Sequence, residues 1–234
     1  MDVLALIHGD EARSGVFADA AEARGDRIEE WSIAWGTPPP RPIDAYEAVI
    51  VFGGAMHADQ DHLHPWLHEE SLLLQRLLVQ RVPVLGVCLG VQLLARAAGG
   101  TVGPAAQPEV GWHDVELTRA GRDDPLFAAV PARFHALQWH FYTYGIPAGA
   151  VELARSDACT QAFRLGEAAW GVQFHPEVTE DQLVRWVREE ADEIPVPAVE
   201  LLAETRLRIG GWNDLGRRLC ANFLSLAEGL RAAA

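Results

Sequence analysis

The chain is poor in cysteine and in positive charge, and it has no long apolar run. Three cysteines (Cys88, Cys159 and Cys220) are scattered through 234 residues without a C-x-x-C pair. That argues against a disulfide framework or a thiolate zinc site, and it points to a reducing compartment, the cytoplasm. Nineteen basic side chains stand against 33 acidic ones, a net charge of -14. Such a surface repels phosphate backbones and anionic headgroups, so neither nucleic acid nor membrane is an expected partner. No apolar stretch approaches the roughly 20 residues that a spanning helix needs. Met1 to Ile7 has no basic segment ahead of its apolar run, so it reads as a first strand and not as a signal peptide. The G-x-x-x-x-G-K-[ST] pattern of a phosphate-binding loop is missing too. With no internal repeat, low-complexity tract or convincing linker, residues 1–234 read as one domain.

What is present is a set of short apolar runs separated by helical patterns. Val3 to Ile7, Ala48 to Phe52 and Val82 to Val87 are continuous and rich in β-branched residues, as expected of strands covered on both faces. Gly15 to Arg24 and Trp66 to Leu78 carry apolar residues at helical spacing. This alternation predicts an α/β fold of three layers, an open and mostly parallel sheet with helices on both faces. Shorter runs at Val115–Thr118, Arg133–Gln138, Val151–Ala154 and Gln161–Leu165 read as a small antiparallel insertion, and Trp170–Phe174 as a last strong strand. From 178 to 234 the pattern is a helical addition broken only at Ile194–Pro197, and Thr179 is suited to cap its first helix.

The chemistry concentrates at Gly86-Val87-Cys88-Leu89-Gly90. A strand runs into a helix pattern without a break, the layout of a nucleophile elbow with cysteine in place of serine. Glycines two before and two after Cys88 allow the sharp turn. Helix-terminal N–H groups and the macrodipole favour negative charge on the sulfur. A base and a group to orient it are then needed. His175-Pro176-Glu177 follows the last strand, with imidazole and carboxylate two residues apart and so on one face of an extended segment. Gly53-Gly54 ends another strand. Its Cβ-free backbone suits an oxyanion loop, with the Gly54 and Leu89 N–H groups as donors.

Taken together, Gly53-Gly54, Gly86-Val87-Cys88-Leu89-Gly90-Val91-Gln92 and Gln173-Phe174-His175-Pro176-Glu177 resemble the three signature blocks of class I (triad-type) glutamine amidotransferases, in the same order and separation. Glu109-Val110-Gly111-Trp112, Asp124-Pro125-Leu126-Phe127 and Gln161-Ala162-Phe163-Arg164 are similar to stand-alone domains related to the glutaminase part of GMP synthase. The resemblance implies a flavodoxin-like fold, no cofactor or metal, and a Cys88–His175–Glu177 triad. It also implies that Gly53, Gln92, His140, Phe141 and Tyr142 contact the substrate, glutamine or another γ-glutamyl amide, and that a separate synthase subunit takes the ammonia. Two positions depart from the family pattern. Ala55 stands where many members have proline, and Phe141-Tyr142-Thr143-Tyr144 replaces a smaller, more polar segment.

Other residues compete for attention. His57, His62, His64 and His68, with Asp59, Asp61, Glu69 and Glu70, suggest a metal, but Pro65-Trp66 interrupts the helical spacing and a solvated loop is the better reading. Cys159 and Cys220 lack a base motif. Trp112 and Trp139 are candidates for a pocket wall. A γ-glutamyl hydrolase that needs no partner would use the same triad. A silent regulatory domain would lack one of its members, and an α/β-hydrolase would place the acid before the histidine.

Overall fold

A computed structural model describes residues 1–189 and 194–233. The strands are β1 (Asp2–Leu6), β2 (Arg27–Trp31), β3 (Ala48–Val51), β4 (Val84–Val87), β5 (Val102–Leu117), β6 (Arg133–Tyr144), β7 (Ala150–Arg155), β8 (Thr160–Leu165) and β9 (Ala169–Val172). The helices are α1 (Val16–Arg24), α2 (Trp66–Gln80), α3 (Leu89–Ala97), α4 (Arg119–Asp123), α5 (Glu180–Glu189) and α6 (Ala198–Ala232). All nine strands form one sheet in the order β2-β1-β3-β4-β9-β8-β7-β5-β6. The pairings from β2 to β9 are parallel. From β9 to β6 they are antiparallel. The expected antiparallel piece is present. It extends the parallel sheet edge to edge, and β5 and β6 are much longer than the runs that announced them.

Why the apolar runs are continuous is visible in the packing. Alternate residues of each parallel strand feed opposite layers. Val3, Ala5 and Ile7 join Ile50, Phe52 and Val87 in a core closed by α1, α5 and α6. Leu4, Leu6, Val49, Val51 and Val84 join the opposite core, closed by α2 and α3. Each residue of the central strands β3, β4 and β9 is thus buried whichever way it points, which is the behaviour of a doubly covered sheet.

The C-terminal pattern resolves into α5 and a 35-residue α6. Thr179 caps α5 as expected: its Oγ1 accepts from Gln182 N–H at 3.3 Å, and Gln182 Oε1 accepts from Thr179 N–H at 3.0 Å. Residues 190–193 and 234 of the predicted helical addition lie outside the described residues.

Candidate active site

Cys88 sits between β4 and α3 with φ 51 and ψ -109, a left-handed conformation that costs a non-glycine residue about 1–3 kcal/mol. The flanking glycines make that turn possible. A Cβ on Gly90 would lie 2.0 Å from Val51 O, and one on Gly86 would lie 2.6 Å from Gly90 O. The Cys88 N–H donates to Val172 O at 2.9 Å, which ties the elbow to β9.

His175 lies just beyond β9. Its N–H donates to Leu137 O at 2.9 Å, and its carbonyl accepts from Trp212 Nε1 at 2.8 Å. Its Nδ1 is 2.8 Å from Glu177 Oε1, with both side chains buried. Because a carboxylate only accepts, Nδ1 carries a proton and the other ring nitrogen is left for Cys88. Burial by itself would lower the imidazole's pKa. Charge and hydrogen bonds from Cys88 and Glu177 outweigh it and raise the pKa to about 10. The site thus favours the protonated ring, with Cys88 on one side and Glu177 on the other.

Support for this pair comes from α6, which the sequence presented as a packed addition. Gly216 approaches so closely that a Cβ there would sit 1.9 Å from Pro176 O. Asn213 Nδ2 donates to Val178 O at 2.8 Å, so Trp212, Asn213 and Gly216 hold residues 175–178 from behind.

Gly53 and Gly54 face the same place. A Cβ on Gly53 would lie 2.9 Å from His175 Cε1 and 3.5 Å from Cys88 Cβ. The Leu89 N–H is among the first of α3 and has no intrahelical acceptor. Cys88, Leu89, Gly54, Gln92 and His175 border a cavity of about 600 Å³. Trp139, Phe141, Tyr142 and Trp186 form its aromatic side, and Tyr142 stacks on His57 at 3.8 Å.

Two predicted substrate contacts turn out to be engaged with the protein. Gln92 Nε2 donates to Tyr142 O at 2.9 Å and to Gln173 Oε1 at 3.2 Å. The His140 ring is buried, with Nδ1 3.0 Å from Tyr142 O and Nε2 3.2 Å from Glu109 Oε2. Both therefore brace the Tyr142 carbonyl in the cavity wall. Glu109, His140 and Cys159 are, among the described residues, the acid, histidine and cysteine set whose ligand atoms gather within 4.8 Å. The Glu109 carboxylate also accepts from Gln161 Nε2 at 2.7 Å and Ser156 Oγ at 3.1 Å, so the cluster is knitted by hydrogen bonds behind the wall.

The histidine-rich loop disperses. α2 starts at Trp66, Asp61 pairs with Arg96, and Glu70 turns inward. Of the two tryptophans, Trp139 borders the cavity. Trp112 instead packs edge-on against Trp212 and donates to Thr205 Oγ1 at 3.0 Å. Trp186 and Met56 also border the cavity. Met56 comes just after the Gly53-Gly54 block, whereas Trp186 comes from a segment without a motif and only the fold brings it there.

The profile of the glutamine amidotransferase class-I family matches residues 31–190. The chain belongs to that family. The glutamine amidotransferase-like protein YfeJ of Salmonella typhimurium is 26% identical over 217 residues, 91% of each chain. A GMP synthase (glutamine-hydrolyzing) of Thermomicrobium roseum is 36% identical over 141 residues, which are 58% of this chain and 24% of that protein. A gamma-glutamyl-L-1-hydroxyisopropylamide hydrolase of a Pseudomonas species is 29% identical over 159 residues, 64% of this chain and 53% of the other. Among solved structures, a glutamine amidotransferase of Thermotoga maritima superposes with a TM-score of 0.87 at 29% identity, covering 95% of this chain and 97% of that one. In this amidotransferase a mixed sheet leads into a cysteine elbow. Among its described residues, no helix is long and apolar enough to cross a membrane.

Proposed function

We propose that residues 1–234 act as one amidotransferase domain in which Cys88, His175 and Glu177 are the catalytic triad, releasing ammonia from glutamine for a separate synthase. The observation that carries this reading is the buried Nδ1–carboxylate pair at 2.8 Å, its imidazolium set against a cysteine on a strained elbow. Cys88 Sγ attacks the γ-carboxamide carbon. The Gly54 and Leu89 N–H groups receive the oxyanion, and His175 gives its proton to the departing ammonia. The resulting γ-glutamyl thioester is then cleaved by a water whose proton goes to His175, which returns glutamate and a free Cys88. Glu177 holds the ring by its Nδ1–H throughout. In this reading Gly53 and Gln92 border the glutamyl group, and His140, Phe141 and Tyr142 shape the wall opposite.

A second reading, hydrolysis of N-substituted γ-glutamyl amides without a partner, draws on the aromatic side of the cavity. About 600 Å³ edged by Trp139, Phe141 and Tyr142 falls within the range of pockets for drug-sized ligands, roughly 300–1,000 Å³. That is more than a free amide's nitrogen needs, so an apolar N-substituent has room. Mass spectrometry after incubation with glutamine or a glutamine-like chloroketone tests the shared chemistry. The adduct belongs on Cys88 and is absent in Cys88→Ala. Comparing kcat/KM for glutamine and for γ-glutamyl alkylamides separates the two readings, and wild-type turnover in Cys88→Ala refutes both.

A further inference from the structure

Behind the oxyanion loop lies a second buried imidazole–carboxylate pair that no catalytic step uses. His8, two residues past β1, and Glu70, on α2, are each 1% exposed at the side chain. His8 Nε2 stands 3.0 and 3.1 Å from the two Glu70 oxygens, and Nδ1 stands 2.9 Å from Gly53 O. The Gly53 carbonyl can only accept, so Nδ1 is a donor. Trp66, one turn before Glu70 on α2, stacks on the imidazole at 5.6 Å and 19°, which fixes the plane of the ring.

The peptide that His8 grips is the one that carries the Gly54 N–H. A trans peptide is planar, with its C=O and N–H pointing in opposite directions. Holding the carbonyl toward His8 therefore turns the Gly54 N–H away from His8, to the side where Gly54 borders the cavity. The contact is close on both sides. A Cβ on Gly54 would lie 2.7 Å from His8 Cβ, and one on Gly53 would point at His175 and Cys88. Ala55, just past this segment, has no ring to fix its φ. The geometry points to His8, backed by Glu70, as the positioning residue that aims the Gly54 N–H into the oxyanion site. This assignment rests on the reading of Cys88 as nucleophile. The pair would matter most when an oxyanion forms, because a donor pre-aimed in a dry site needs no reorganisation.

Substitution at position 8 tests this in a Glu70→Gln background, which avoids leaving a carboxylate buried without a partner. Asparagine and leucine are nearly the same size, but asparagine can place an amide N–H where Nδ1 was. His8→Leu should lower kcat by about 10²–10³-fold, the usual effect of losing one oxyanion donor, with little change in KM. Affinity for the γ-aldehyde analogue of glutamine, which forms a hemithioacetal with its oxygen in the hole, should fall by the same factor. His8→Asn should recover both to within about tenfold of wild type. If the leucine variant does not fold, His8→Gln replaces it, because its longer amide reaches toward Glu70 rather than Gly53. Equal kcat and equal aldehyde affinity for the donor and non-donor variants would overturn the proposal. If wild type neither turns over a γ-glutamyl amide nor binds the aldehyde through Cys88, the active-site reading itself fails, which is a separate outcome.

Discussion

Replacing Glu177 by glutamine keeps the shape of the His175 partner and removes its charge. In the wild type, burial works against the imidazolium, yet Cys88 and Glu177 raise its pKa from 6.5 to about 10. At 1.36 kcal/mol per unit, that is a net stabilisation of roughly 5 kcal/mol for the protonated ring. Cys88 contributes the larger Coulombic part. Loss of Glu177 alone should therefore lower the pKa by about 1–3 units, the usual effect of one neighbouring opposite charge, and not abolish the charge altogether. Because His175 must be protonated to release ammonia, wild-type activity should persist to about pH 10 and then fall. In Glu177→Gln the same basic limb should appear about 1–3 units lower. The sign for stability is the same. A ring that binds its proton more tightly when folded stabilises the fold fully below its unfolded pKa, near 6.5, and loses that contribution as pH rises through about 10. Ammonia release measured from pH 6 to 11, beside thermal melts at the same values, gives both profiles. A variant whose basic limb coincides with that of wild type would refute the assignment of Glu177 as the ring's counter-charge.

Gly216→Ala, far from the cavity in sequence, should displace the Pro176 carbonyl and with it His175, at a cost of about 10²-fold in kcat for an ångström of movement. Gly210→Ala on the same helix meets open space and should add about 1 kcal/mol of stability with normal kinetics, so the pair of variants, followed by turnover and melting, isolates the contact. Thiol alkylation at neutral pH should go to Cys88. Burial pushes the Cys159 thiol up to about 11 and the Cys220 thiol well above the ordinary range, and equal labelling of Cys159 by peptide mapping would contradict this. Phe141→Ala should weaken kcat/KM for N-alkyl γ-glutamyl amides by roughly tenfold, about the transfer energy of a partly buried aromatic side chain, and leave glutamine less affected.

The strands that carry chemistry were legible because each one ends where its pattern breaks. Ala48–Phe52 stops at Gly53-Gly54, Val82–Val87 stops at the cysteine elbow, and Trp170–Phe174 stops at His175. Parallel strands buried on both faces write themselves as apolar runs, so the α/β layers follow directly. The long hairpin of β5 and β6 was only half legible. Gly103, Pro104 and Gln107-Pro108 interrupt the pattern in β5, and the register shifts between Pro104 and Glu109. A strand that bends through a bulge does not keep its period of two.

The groups that hold the site in place left no such trace, and the reason is the same for each. Glu109 reaches His140 because β5 and β6 pair those two residues directly. Trp212 reaches His175 across 37 residues, and Glu70 reaches His8 across 62. In a one-dimensional pattern a tryptophan in a helix reads as core and a glutamate in a helix reads as solvated face. Both readings describe the helix correctly and miss the partner. Glu70 shows the principle most sharply. It stands beside Glu69 just past the first turn of α2, where an acid reads as surface, yet it is almost completely buried. Burying an ionised carboxylate is tolerated only with a paired cation or several donors. The depth of Glu70 therefore implies a buried partner, and His8 with its hold on Gly53 supplies one.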